Sequence, residues 1–499
     1  MNKKILLWFA FVLVFAISCT QDESQKSPDL SLDFQEPIAA RLINDKINQV
    51  NQSGGKFDWK QASLHELWSA IHHGQYLVSI GFGTHETDFD RTKNSRANQQ
   101  QAELIKLMEQ YEGGDVQLIY TDEFLNNFDV VLKKPATLLA LRKHKLIRYV
   151  EPADYQYFSI ERETGEYQVQ SSSGCGYSTS TISAVDAITI TPNARLPWAF
   201  GYHGIPTAWN TSTGQGITIG VVDTGLSPNQ SLLNSSFNSG ASSGRFVQRF
   251  GTYVDSIWPW STTTDGPNDL CGHGTSMASV ATAPRNASGM PVGVAYNANL
   301  VSYRASSDVV LNGYHEQVGV QNAFTALGNR SDVRIISMSM GHIFSVGRIV
   351  DAVRYANNRG KLIFCAGGTS TSFTTFVGVI FPAWMPETVA VTGIKEASTY
   401  QKCDVCHTGS EIDFTIIMQR AGTNNTIPVL SYYNLQADYV GGSSVATATT
   451  AGIAALVWAK NPGWTKNQVL LKMRQSSQFF PTKHSQFGHG VINAALAVQ

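Results

Sequence analysis

Charge of either sign is scarce in this chain, and neither sign prevails: 37 Lys+Arg stand against 38 Asp+Glu in 499 residues, 15% charged in all. A net charge of -1 supplies no basic field for binding nucleic acid by counterion release, and there is no acidic tail, so no polyelectrolyte partner is expected. With only 37 Lys+Arg against 42 Gly, the composition is also wrong for a coiled coil and fits a loop-rich, enzyme-like chain. Beyond the extreme N-terminus no apolar run is expected to cross a membrane. What is present, 42% hydrophobic residues, describes a folded protein, and its length exceeds what one core usually organises, so two or more domains are expected.

The chain begins with Lys3 and Lys4, an unbroken apolar run from Ile5 to Ile17, and then Ser18-Cys19. This is the pattern of an export signal, and the run is short for a bilayer span. A small residue before Cys19 resembles a bacterial lipoprotein box, in which Cys19 becomes the acylated amino terminus; the other reading is an ordinary signal cleaved near Ser18. Polar Thr20 to Ser24 reads as a tether. The expected organisation is a signal over 1–18 and a tether over 19–35. The mature protein is expected outside the cytoplasm, as an envelope lipoprotein or a secreted protein, touching membrane only through that anchor.

Residues 36–155 read as a small domain. Tyr76, Val78, Ile80 and Phe82 alternate, as in a half-buried strand. Leu104, Leu107, Met108 and Tyr111 follow helical spacing, with Gly113-Gly114 as the stop. Strand-like runs cover Val116 to Tyr120 and Phe128 to Leu132. Pro135 opens a second helix with Leu138 and Leu141 inward, and Leu146 to Glu151 closes the series. The order β-α-β-β-α-β is that of a ferredoxin-like α+β half-sandwich, which by itself says nothing about function.

Residues 156–196, rich in Ser, Thr and Gly, read as a linker open to proteolysis. From 197 to 499 short apolar runs alternate with helical stretches, the pattern of a mostly parallel α/β sheet flanked by helices. Strands are expected at Ile217 to Val222, Asn299 to Arg304, Val333 to Met338, Lys361 to Ala366 and Thr388 to Thr392. Helices are expected at Val346 to Arg359 and Thr447 to Lys460.

Chemistry in such sheets sits at the carboxyl ends of strands, and three positions there stand out. Asp223 ends a buried strand, where an unpaired acid is costly. His273 lies between Gly272 and Gly274 before a helix-like run. Ser444 follows Gly441-Gly442-Ser443 at the mouth of a long Ala-rich helix, whose N–H groups and dipole favour developing negative charge. Each alone is explained as well by a turn cap, a hydrogen-bonded loop residue or an N-cap. Together they supply an acid to orient a base, a base to take a proton and a hydroxyl to be activated, the requirements of acyl transfer.

Val221-Val222-Asp223-Thr224-Gly225, Gly272-His273-Gly274-Thr275 and Gly442-Ser443-Ser444-Val445-Ala446 resemble the three signature blocks of the subtilisin-like serine proteases. Ser337-Met338-Ser339-Met340-Gly341 is similar to the family's substrate strand, Gly409-Ser410-Glu411-Ile412-Asp413 to a later segment and Phe487 to Ala494 to its closing motif. The likeness covers about residues 197–499. The 76–151 domain, ending Tyr149-Val150-Glu151-Pro152, resembles the family's inhibitory, chaperone-like propeptide. The resemblance implies that Ser444 attacks the peptide carbonyl, His273 acts as base then acid, and Asp223 holds the imidazole. Ser339 and Gly341 would offer backbone to an extended substrate. It further implies a self-processing zymogen, monomeric, acting as an endopeptidase on polypeptides, with its own propeptide as partner and the maturation cut in the linker.

Three departures stand out. The family's oxyanion Asn is replaced in Cys365-Ala366-Gly367-Gly368, so either Thr369 or Ser370 substitutes or the enzyme is slow or inactive; removing such a donor costs about 10²–10³ in rate. Ala448 stands for a Pro and Ser443 for a Thr. Gly274-Thr275-Ser276-Met277-Ala278 spells the family's usual serine block more closely than Gly442 to Ala446 does, but it follows His273 immediately and Ser276 would lie on the His273 helix. The rival function is an impaired subtilase fold that binds peptides or a partner.

Cys403-Asp404-Val405-Cys406-His407 matches the haem-attachment pattern and half a zinc site, and an electron carrier would rest on that motif alone; a local disulfide is preferred. Cys271 either pairs with Cys175 or is a buried thiol, and Cys365 is expected free. No cofactor is required; calcium, common in the family, has no acidic loop to name as ligand. Gly313, Tyr314 and Met340 carry no charge, so apolar side chains are expected before the cut. No added C-terminal domain is expected after Ala494.

Overall fold

The computed structural model describes residues 34, 36–163, 174–370, 378–397 and 399–499. The leader, Cys19 and Ser171 to Ser173 lie outside the described residues.

In the small domain, strands β1 (Leu77–Phe82), β2 (Leu118–Thr121), β3 (Asn127–Val131) and β4 (Ile147–Pro152) form an antiparallel sheet in the order β2-β3-β1-β4. Helices Ala97–Glu112 and Pro135–Lys143 complete the ferredoxin-like pattern, the first ending on left-handed Gly113 and the second starting with Pro at its first turn. Two further helices, Ala40–Gln52 and Leu64–His73, precede β1 and were not foreseen. The Ser63 and Glu66 pair forms a reciprocal cap at the second.

β1 is buried along its whole length, not on one face as its alternation predicts. Its outer face is covered by the large domain. Leu77 packs with Tyr314 and Val318, and Arg348 reaches Ser79 at 3.1 Å.

Residues 187–197 do not behave as a linker. They form a hairpin, β5 (Ala187–Ile190) with β6 (Ala194–Pro197), against the large domain. The main sheet is fully parallel, in the order β13-β12-β11-β10-β7-β9-β8. Here β7 is Thr218–Asp223, β8 Val247–Gly251, β9 Asn299–Arg304, β10 Val333–Met338, β11 Leu362–Ala366, β12 Val389–Lys395 and β13 Ile412–Gln419. A two-stranded ribbon, β14 (Ile427–Leu430) with β15 (Ala437–Val440), leads into the Gly442–Lys460 helix.

Two apolar layers enclose the sheet. On one side Met277, Ala278, Ala451 and Leu456 pack on Ile219, Val221, Ile335 and Phe364. On the other, Phe324, Leu327, Ile349 and Val353 pack on Val222, Ile336, Ile363 and Cys365. The Gly442–Lys460 helix is long and apolar enough to cross a membrane, contrary to the expectation that no run beyond the leader would be, yet it is buried in this core.

The two domains meet through buried ion pairs. Arg148 grips Asp351 with both terminal nitrogens, at 2.6 and 2.7 Å. Arg348 pairs with Asp129, which also accepts from the Tyr314 hydroxyl at 2.8 Å. Small-domain carboxylates cap two large-domain helices: Glu151 accepts from Gly347 N–H at 2.7 Å and Asp154 from Tyr314 N–H at 3.0 Å. Ile343 and Phe344 insert into the small domain's core, where Phe344 makes edge contacts with Phe57 and Trp59.

Candidate active site

β7 is an interior strand of the main sheet, and its last residue, Asp223, is fully buried at the carboxyl edge of that sheet. Asp223 Oδ1 accepts from Thr224 N–H at 2.8 Å and lies 2.7 Å from His273 Nδ1. That bond places the His273 proton on Nδ1 and leaves Nε2 as the basic nitrogen. Burial of the imidazole works against its charged form, but the Asp223 carboxylate outweighs it, and the His273 pKa is raised above the ordinary 6.5.

His273 opens the His273–Thr282 helix, preceded by left-handed Gly272. A residue absent from the sequence reading fixes that entry. Asp269 accepts from the N–H groups of Cys271, Gly272 and Thr275 and from the hydroxyls of Thr224 and Thr275. Burial raises its pKa even so. The sequence signal was present as an Asp four residues before the His, with a Thr two residues after it.

Ser444 lies in the first turn of the Gly442–Lys460 helix and is nearly buried. Its N–H is among those at a helix start that lack an intrahelical acceptor. Its carbonyl accepts from the Ser339 hydroxyl at 3.2 Å. Among the described residues no hydrogen bond joins Ser444 to His273; such bonds are often long without substrate. Ser276 sits on the His273 helix with its hydroxyl donating to the Gly272 carbonyl at 3.2 Å.

Gly368 has φ +127°, and a Cβ there would lie 2.4 Å from His407 Nδ1, so no Asn fits without displacing that ring. His407 is locked in turn: its N–H donates to the Gly368 carbonyl and its Nδ1 to the Gly378 carbonyl. Burial lowers its pKa to about 4, which leaves it neutral. Gly368 N–H donates to Ser443 Oγ at 3.0 Å, and Ser443 N–H donates to Thr369 Oγ1 at 3.2 Å. Thr369 is thus one residue from Ser444 but already joined to Ser443.

Gly341 is not open to an added strand. Its N–H donates to the Val309 carbonyl and its carbonyl accepts from Leu311 N–H, at 3.0 and 3.1 Å. The chain after β4 turns into the Tyr157–Glu163 helix, where Phe158 N–H donates to Asn312 Oδ1 at 2.9 Å.

Cys403 and Cys406 are joined as a disulfide, which removes both sulfurs from haem or zinc, and Cys175 is joined to Cys271. Cys365 is free and buried, its thiol pushed well up by burial. No group of three or more His, Cys, Asp or Glu among the described residues is placed to hold a metal ion.

Residues 214–490 match the model of the subtilase family. The chain belongs to that family. It is 28% identical over 312 residues to the thermostable alkaline protease of Halalkalibacterium halodurans, covering 62% of this chain and 75% of that one. It is equally 28% identical over 289 residues to subtilisin E of Bacillus subtilis, covering 58% and 67%. Among solved structures, MycP1 from Mycobacterium smegmatis aligns over 64% of this chain and 89% of its own, with 20% identity and a TM-score of 0.48. The subtilase is therefore a member of a serine protease family, with polypeptides as its substrate class.

Proposed function

We propose that this subtilase is an exported serine endopeptidase made as a self-processing zymogen. The observation that carries the catalytic part is the buried Asp223–His273 pair at the edge of β7, with Ser444 at the start of the core helix. Ser444 Oγ attacks the peptide carbonyl while His273 Nε2 takes its proton. His273 then gives that proton to the leaving amine, and the acyl-enzyme is hydrolysed by a water that His273 activates. Asp223 fixes the tautomer and offsets the imidazolium charge. The Ser444 N–H and the helix start face the developing oxyanion, and Gly368 adds no side-chain donor to them.

The ferredoxin-like domain serves as propeptide. Its Glu151 and Asp154 caps and its buried ion pairs place it against the helices that flank the substrate strand. The exchange of Gly341 hydrogen bonds with 309–311 keeps that strand shut in this form. The closure supports a latent enzyme, which opens as the propeptide leaves. The leader and the tether at Cys19 support export, as a lipoprotein or a secreted protein.

Expression of the full chain with its leader, beside Ser444→Ala, tests this reading. The expected result is a smaller product that cleaves denatured casein and is absent from Ser444→Ala. An uncut, inactive but folded wild-type chain would leave peptide binding by the same cleft as the better reading.

A further inference from the structure

The segment that follows the small domain returns to the chemistry. A methyl group built on Gly174, whose φ is +106°, would stand 3.3 Å from His273 Cδ2, 4.0 Å from Nε2 and 3.8 Å from Val309 Cγ2. Gly174 therefore lies between the basic edge of the imidazole and the 309–311 segment that pairs with Gly341. The next residue, Cys175, is bonded to Cys271, two positions before His273. Gly176 N–H donates to the Cys271 carbonyl at 2.8 Å. Beyond it the chain is laid on β15, the strand that leads to Ser444. Ser178 and Ser180 donate to the two oxygens of Asp438, Ser180 N–H donates to the Ala437 carbonyl, and Ser183 N–H to the Tyr439 hydroxyl.

We propose that residues 174–183 form a strap over the His273 side of the cleft, fastened by the Cys175–Cys271 bond and released by thiol–disulfide exchange. This rests on reading His273 and Ser444 as protease residues. The fastening is local. Gly174, Gly176, Tyr177 and Ser178 are exposed, and among the described residues this end is held, besides the disulfide, by one backbone hydrogen bond, by Tyr177 against Tyr432 and Tyr433, and by the Ser178 hydroxyl on Asp438. The other end is anchored independently, since Asp186 binds Arg420, Asn425 and Tyr439. Breaking the sulfur bridge therefore frees the end at His273 while the far end stays docked.

The reductant is a dithiol, small or protein-borne. Its thiolate attacks the half-buried Cys175 sulfur, the Cys175–Cys271 bond breaks, and the two cysteines take up two electrons and two protons as the dithiol closes to its own disulfide. Substrate and the hydrolytic water must both reach His273 Nε2, so a fastened strap lowers the fraction of competent enzyme.

The test compares purified wild-type protein, the same protein in dithiothreitol, and Cys175→Ser with and without dithiothreitol. Deuterium uptake at the Gly176 amide and cleavage of casein are both read. A strap open about a tenth of the time when fastened gives about a tenfold rise in kcat/KM on release. The expected result is faster uptake and that rise in both reduced wild type and Cys175→Ser, with Cys175→Ser indifferent to dithiothreitol. That indifference excludes the Cys403–Cys406 bridge as the cause. Should Cys175→Ser not fold, reduced wild type still gives the uptake. Unchanged uptake, or measurable turnover that release does not raise, overturns the proposal. Faster uptake with no turnover in any form upholds the strap and instead contradicts the protease reading.

Discussion

His273 Nδ1 sits 2.7 Å from Asp223 Oδ1, both side chains buried at the carboxyl edge of the main sheet. The contact raises the imidazole pKa against the opposing effect of burial. The proposed catalysis needs His273 neutral, so the wild-type rate should climb with pH through a value above 6.5. Asp223→Asn removes the raising charge, so its acid limb should move to lower pH while kcat falls about 10⁴-fold, as expected when the tautomer is lost. A pH–rate profile of both proteins checks this.

Gly368 is required by its backbone and by its neighbour. Gly368→Ala should cost about 2 kcal/mol or more, because φ +127° is strained for any side chain and the added carbon meets His407. Gly368→Asn should be no faster than wild type and less stable. Thermal melting and casein turnover of the two variants decide it.

The domain interface depends on paired buried charges. Asp351→Ala leaves Arg148 without its carboxylate, and losing one partner of a buried pair costs about 3–5 kcal/mol. The small domain should dissociate measurably from this variant, read as susceptibility to a trace protease, while Lys46→Ala, at a partly exposed pair, should change little.

Glu151 lies fully within that interface. Burial, with the nearby Asp58 charge adding to it, pushes its carboxyl up from 4.5 to about 8 despite the Gly347 N–H. The docked form thus holds a proton that the free domain has lost between those values. Docking should weaken as pH rises from 4.5 to about 8 and level off above. Glu151→Gln should flatten this dependence in a titration of domain affinity.

How far the sequence carried depended on range. Asp223 and His273 could be read because each is marked locally, by an apolar strand or by flanking glycines. β8 and β13 could not: β8 is a half-exposed edge strand, and β13 buries Asp413, Thr415 and Gln419, which look like loop residues. The burial of both faces of β1 depends on Tyr314 and Arg348, far along the chain. The closed Gly341 pairing and the packing of 174–183 on β15 are likewise products of tertiary contact. Gly368 looked like a lost donor in sequence; the His407 ring beside it supplies the physical reason for glycine.

In the proposed mechanism Ser444 is the nucleophile that Asp223 and His273 serve. Labelling the purified protein with a fluorophosphonate and locating the adduct by mass spectrometry tests it most directly, with Ser444→Ala and Ser276→Ala alongside. The expected adduct is on Ser444, retained in Ser276→Ala and absent from Ser444→Ala. An adduct on Ser276, or none on a folded protein whose strap has been released by reduction, would contradict it.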